Sequence, residues 1–210
     1  VKAPGHALFN RLREIFGELP FVAEDLGVIT PEVDELREYF NMPGMRILQF
    51  GFAERAAHTY LPHRFVANAV VYTGTHDNNT TLGWWREDAT PEERASVQTY
   101  LGPVRAHPGD REIVWAMIRA AAGSVANISI YPLQDVLEIG SEGRMNRPAA
   151  ASGNWSWRFG LDDLKPDFSA RLCAITEMTD RDGYEKPIEG EPAGGPTDFA
   201  SLRLEEEAPR

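Results

Sequence analysis

"AVVYTGTHDNNTTLGWW", residues 69–85, is the stretch on which the fold turns. Ala69 to Tyr72 have the length and β-branched content of a buried strand. Thr73-Gly74-Thr75 closes it, and a polar cluster follows: His76, Asp77, Asn78 and Asn79. Thr80 to Glu87 then reads as a helix carrying Trp84 and Trp85. The cluster has two readings. Asp77, Asn78 and Asn79 can cap the helix at Thr80, because Asp and Asn are favoured there, or they can form a working site.

The same pattern recurs on both sides. "PFVAED" (20–25) is a short buried strand ending on Glu24 and Asp25, "MRILQF" (45–50) carries Gln49 at its end, and "NISIYP" (127–132) leads to Gln134 and Asp135. Helices are expected between them. Leu8, Phe9, Leu12, Ile15 and Phe16 share one helical face that Gly17 ends, and Thr30-Pro31-Glu32 starts a helix with Val33, Leu36 and Phe40 at helical spacing. Thr90-Pro91-Glu92-Glu93 matches a capping box. A helix from about Asp110 buries Ile113, Val114, Met117 and Ile118, and one from Pro166 to Thr179 aligns Phe168, Leu172, Ile175 and Met178. Strands separated by helices imply parallel pairing, because a parallel neighbour needs a crossover long enough to hold a helix. An open doubly wound sheet and a barrel both satisfy this, and polar residues at the ends of four strands favour the barrel. Four strands do not close an eight-stranded ring. The expected fold is therefore α/β, half of a (β/α)8 TIM barrel with about four parallel strands and intervening helices.

The chain has 210 residues, 42% of them hydrophobic, enough to bury a core. Its formal charge of −11 argues against nucleic acid and anionic lipid as partners, both of which want clustered Lys and Arg. No apolar run reaches the roughly 18 to 20 residues of a membrane span, and the start, "VKAPGHALFN", lacks a signal-peptide apolar region and an initiator methionine. The one cysteine, Cys173, fits a reducing cytosol and is expected to pack as a small apolar group. Residues 1–182 form the expected folded part. The remainder, 183–210, is expected to be disordered: from Glu185 to Arg210 seven acidic residues face Lys186, Arg203 and Arg210, a net of −4, among Pro and Gly.

Chemistry narrows the function. Glu24 emerges where a strand leaves the barrel core, so desolvation is expected to raise its pKa, while Asp77 lies two strands away on the same rim. Two carboxyl groups in different surroundings can divide acid catalysis from charge stabilisation, the arrangement that glycosyl transfer requires. Tryptophans beside them offer apolar faces to sugar rings. A metal-dependent hydrolase is the competitor, since His and carboxylates at strand ends also bind divalent ions. Of the five histidines only His76 falls at an expected strand end, and no H-x-H or H-E-x-x-H occurs. Neither a G-x-S-x-G elbow nor a Gly-rich phosphate loop is present. No metal and no organic cofactor are expected.

The motifs "AEDLGVITPEV", "PGMRILQFGF", "YLPH", "VVYTGTHDNNTTLGWW", "PLQDVL" with "GSEGRMNRP", and "SGNWSWRF" occur in one order over roughly residues 1–182. Together they resemble the 4-α-glucanotransferases called amylomaltases or disproportionating enzymes. The resemblance implies the C-terminal half of a (β/α)8 barrel related to the α-amylase clan, acting by retaining double displacement on α-1,4-glucans or maltooligosaccharides. It implies Glu24 of "AEDLG" as acid/base and Asp77 of "GTHDN" as transition-state stabiliser. His76, Asn78, Trp84 and Asn154 of "SGNW" are then the expected sugar contacts. The family's nucleophile belongs to an R-x-D-H type motif on the preceding strand, and none precedes Glu24, so these residues alone are expected to be inactive. Ala53 stands where the family usually has an aspartate, Asn79 where an aspartate is common, and "LEIGSEGRMN" where "LGLGSEARMN" is often read. The alternative expectation is a non-catalytic half barrel that holds glucan through His76, Asp77, Asn154 and its tryptophans.

Overall fold

The computed structural model describes residues 3–102 and 111–183. The acidic stretch expected to be disordered falls, from residue 184 on, outside the described residues. In chain order the elements are α1 (Gly5–Phe16), α2 (Pro31–Tyr39), β1 (Gly44–Ile47), β2 (Ala69–Tyr72), α3 (Thr81–Gly83, continued by a π turn over Trp84–Asp88), α4 (Pro91–Leu101), α5 (Glu112–Ala122), β3 (Ile128–Ile130), α6 (Leu133–Val136) and α7 (Pro166–Met178). The three strands form one sheet in the order β1-β2-β3. Both pairings are parallel, with Gly44 opposite Ala69 and Val70 opposite Ile128. The helices read before β1 and between β2 and β3 are present, the β1–β2 connection is made of short 3-10 segments, and all three strands point their carboxyl ends the same way.

Among the described residues three strands form rather than four, a correction whose cause is local. The expected strand at 20–25 is reduced to one bridge between Ala23 and Gly44. Ala23 N donates to Pro43 O at 2.8 Å. The next rung is taken by a side chain: Met45 N donates to Asp25 Oδ1 at 2.6 Å. A carboxylate that replaces a peptide carbonyl keeps the segment beside β1 without continuing the ladder. Asp25 is buried, its Oδ2 lying 3.2 Å from Arg46 Nη1 and 3.6 Å from the buried Arg37 Nε. The approach requires Gly44, since a Cβ there would run into the Asp25 carboxylate. β1 is shorter than expected as well, because Leu48–Phe52 turns into a 3-10 helix.

A large buried cluster packs on the face of β2 that carries Ala69 and Val71. Ile113, Val114, Met117 and Ile118 of α5 are fully buried, as the spacing predicts, and Trp115 joins them. They pack with Ala69 and Val71 of β2 and with Leu82, Trp84 and Trp85. Alternation along β2 sends Tyr72 to the opposite face, where it lines a cleft. The capping box at α4 forms as read, Thr90 Oγ1 accepting from Glu93 N and Glu93 Oε2 from Thr90 N. α1 departs from expectation. Phe9 reaches the Phe40 ring at 5.3 Å, but none of its residues is buried, and Leu8, Ile15 and Phe16 are exposed. Cys173 also differs: it is exposed on α7, its thiol donating to Glu177 Oε1 at 3.2 Å. Among the described residues no helix is long and apolar enough to cross a membrane.

Gly44→Ala tests how the Glu24 segment is held. Forcing a methyl group into this contact is expected to cost about 1–3 kcal/mol, read as a lower urea midpoint, and to speed amide exchange at Met45. An unchanged midpoint with unchanged exchange would mean that Asp25 does not hold the segment against β1.

Candidate functional site

A cleft of about 490 Å³ opens at the carboxyl ends of the strands, within the size range of ligand pockets. Glu24 lines it beside β1, Tyr72 and residues 74–80 line it after β2, and Tyr131, Arg144, Met145 and Trp155 close it from beyond β3. Glu24 and Asp77, read from the sequence as one pair, therefore stand on walls of the same cavity.

Adjacent carboxylates behave differently on the Glu24 side. In an extended segment successive side chains point opposite ways, so Asp25 turns inward to Met45, Arg46 and Arg37 while Glu24 turns to the cleft. Glu24 is exposed, and the desolvation expected for it is not supplied by the described residues.

The loop carrying His76 and Asp77 is fixed by its own side chains. Asn78 Oδ1 accepts from both Thr75 N and Thr75 Oγ1 at 2.9 Å. Asn79 is buried, its Nδ2 donating to Asp88 Oδ2 and Ser141 Oγ, and its carbonyl accepting from Gln49 Nε2. The helix cap is Thr80, whose Oγ1 accepts from Gly83 N at 3.0 Å. Capping thus does not involve Asp77. Its Oδ1 instead lies 3.2 Å from His76 Nε2 and accepts from Asn146 Nδ2 at 2.6 Å, while its backbone carbonyl accepts from Arg144 Nη2 at 2.8 Å. Both His76 and Asp77 remain about half exposed to the cleft.

The expected tryptophan is replaced by another. Trp84 is buried against Phe52 at 6.1 Å and reaches only a second, smaller cleft that shares Asp77, Asn78, Asn79 and Arg144 with the first. Trp155 takes the exposed position, its ring 5.2 Å from the His76 imidazole. It adopts φ +59°, a conformation rare for a bulky residue, and its backbone N–H donates to Met145 O at 2.7 Å. Asn154, the other expected contact, closes its own loop, accepting from Arg147 N and donating to Ala150 O, and does not line the cleft. Asn146, Arg144 and Trp155 were missed as individual residues, although the stretches "GSEGRMNRP" and "SGNWSWRF" contain them. Burial pushes the phenols of Tyr72 and Tyr131 above their usual value, which keeps both as neutral O–H groups on the cleft wall. Among the described residues, no three His, Cys, Asp or Glu side chains converge to hold a metal ion.

A cleft at the carboxyl ends of parallel strands, walled by carboxylates and edged by an aromatic ring, makes this an α/β chain with a candidate ligand site at that end of the sheet. More narrowly, the chain belongs to glycoside hydrolase family 77, described as 4-alpha-glucanotransferase, which it matches over residues 1–162. It is 50% identical over 184 residues to the 4-alpha-glucanotransferase of Thermus thermophilus, covering 86% of this chain and 37% of that protein. It is 48% identical over 156 residues to the chloroplastic/amyloplastic 4-alpha-glucanotransferase of Solanum tuberosum, covering 74% of this chain and 26% of that one. Among solved structures, the amylomaltase from Streptococcus agalactiae in complex with acarbose superposes with a TM-score of 0.79 at 34% identity, over 86% of this chain and 36% of that chain. The chain thus spans little more than a third of the length of these relatives at most.

Two alanine variants separate capping from chemistry. Thr80→Ala is expected to lose about 1 kcal/mol in denaturant unfolding, whereas Asp77→Ala should stay within about 0.5 kcal/mol of the parent. Equal losses would return Asp77 to a capping role.

Proposed function

We propose that residues 1–182 are the C-terminal part of the catalytic barrel of a cytoplasmic 4-α-glucanotransferase, followed by an acidic tail, and that the cleft holds an α-1,4-glucan. The observation that carries this reading is the placement of Glu24 and Asp77 on one cavity, with the exposed Trp155 face at its edge. Family membership supports it, as does the acarbose complex of the Streptococcus agalactiae amylomaltase.

Glu24 is the acid/base. Its proton passes to the glycosidic oxygen as the bond to the sugar carbon breaks, and the carboxylate later takes the proton of the acceptor's 4-hydroxyl. Asp77 faces the oxocarbenium-like charge that develops in each of these two steps, held in place by Asn146 and Arg144. His76 donates to a sugar hydroxyl beside it, and Trp155 offers its ring face to the sugar. Retention requires a nucleophile on the other side of the ring, ~5 Å from the acid/base. Glu24 and Asp77 are the carboxylates that line the cleft among the described residues, so the nucleophile is assigned to the part of the family's length that this chain does not span. That part also has the task of covering Glu24, which is exposed among the described residues.

In the polypeptide of family length that carries these residues, Glu24→Gln is expected to lower kcat for transfer from maltotriose by about 10²- to 10⁴-fold. Asp77→Asn should lower kcat with little change in KM, because its partner is the transition state. Near-normal transfer by Glu24→Gln would remove Glu24 from the mechanism, and a pure KM effect of Asp77→Asn would contradict its role. The 210-residue chain alone is expected to show no transfer, and turnover by it would mean that every catalytic group lies within it. Glucan binding without turnover at full family length would favour a non-catalytic glucan-binding protein.

A further inference from the structure

The loop bearing His76 and Asp77 has two feet, Thr73 just after β2 and Thr81 at the start of α3, and one buried carboxylate receives both. Asp135, fully buried on α6, accepts from Thr73 Oγ1 at 2.6 Å and from Thr81 Oγ1 at 2.7 Å through Oδ2, and from Thr81 N at 2.7 Å through Oδ1. The chain from α6 then leads to Arg144 and Asn146, which hold Asp77 from its other side. We propose that Asp135 is a positioning residue for glycosyl transfer: it never touches the sugar, but through Thr73 and Thr81 it sets where His76 and Asp77 stand relative to Glu24.

Three donors converging on one carboxylate define its orientation closely, since each bond restricts a different direction of movement. Burial pushes the Asp135 carboxyl up from its usual value while these three bonds hold it down, so its environment is built around the donors and not around a cationic partner. Neither Thr73 nor Thr81 lines the cleft. Their effect on the reaction must therefore run through the loop between them. The inference rests on the glucan-transfer reading of the cleft.

Asp135→Asn is a poor probe, because its amide turns one acceptor into a donor facing other donors and the chain can fail to fold. Thr81→Val and Thr73→Val keep the shape and remove one donor each. In the enzyme of family length, Thr81→Val is expected to lower kcat for transfer from maltotriose roughly ten- to a hundredfold, the scale of a small misplacement of catalytic groups, with KM within about twofold. Thr81→Ser should recover most of that loss. In the Asp77→Asn background, Thr81→Val should have a clearly smaller effect, because one of the two groups it positions is already disabled. Parental kcat in both valine variants would overturn the proposal, as would an undiminished loss in the Asp77→Asn background. If the parent transfers glucan but Glu24→Gln and Asp77→Asn do so equally well, the reading of the cleft fails. If those two are impaired while both valine variants are normal, only the role of Asp135 fails.

Discussion

A carboxylate removed from water is costly unless its oxygens are satisfied, and Asp135 makes that cost a constraint on everything around it. Its acceptors admit Thr73 and Thr81 and the Thr81 amide in one arrangement, with all three distances between 2.6 and 2.7 Å. That arrangement fixes the end of β2, the start of α3 and the turn after β3 relative to one another. Between the two threonines the chain has seven residues in which to turn, and those residues carry His76 and Asp77 at the tip.

The other wall follows the same rule on a smaller scale. Asp25 ties its segment to β1 through the Met45 amide and two arginines, leaving its neighbour Glu24 to face the cleft. Each carboxylate on the cleft wall thus has a buried counterpart, Asp25 beside Glu24 and Asp135 at the feet of the loop that carries Asp77. Buried Asp25 and Asp135 are held by donors that fix direction, whereas Glu24 and Asp77 stay open to a ligand. The division explains why carboxylates cluster at these strand ends: half of them are scaffold.

Much of the architecture was readable in the sequence because it depends on local patterns. The fully buried face of α5, the capping box at Thr90 and the parallel pairing implied by intervening helices need only spacing and composition. The strand at 20–25 was misread because a side chain substitutes for a backbone rung at Met45, and hydrophobic pattern does not reveal where a carboxylate will bond. The apolar stripe of α1 was correctly seen as apolar, yet its burial depends on neighbours, and among the described residues α2 supplies only part of a cover. Glu24, His76 and Asp77 do line one cleft, as the sequence reading placed them, although Glu24 follows only the single bridge residue Ala23 and His76 and Asp77 lie on the loop after β2. Trp84, Trp155 and Asn154 lie in a helix and in loops, where which ring faces solvent depends on tertiary contacts such as Trp84 with Phe52 and Trp155 with His76. Asn146 was hidden for the same reason, sixty-nine positions from the aspartate it contacts.

The central claim is that Glu24 and Asp77 meet over one sugar. Crystallography of the family-length enzyme with a bound maltooligosaccharide tests it most directly. The expected result is a glucose ring in the cleft against Trp155, with the Glu24 carboxyl within hydrogen-bond reach of a glycosidic oxygen and the Asp77 carboxylate contacting the same ring. A glucan bound elsewhere, with Glu24 and Asp77 both engaged only by protein groups, would contradict it.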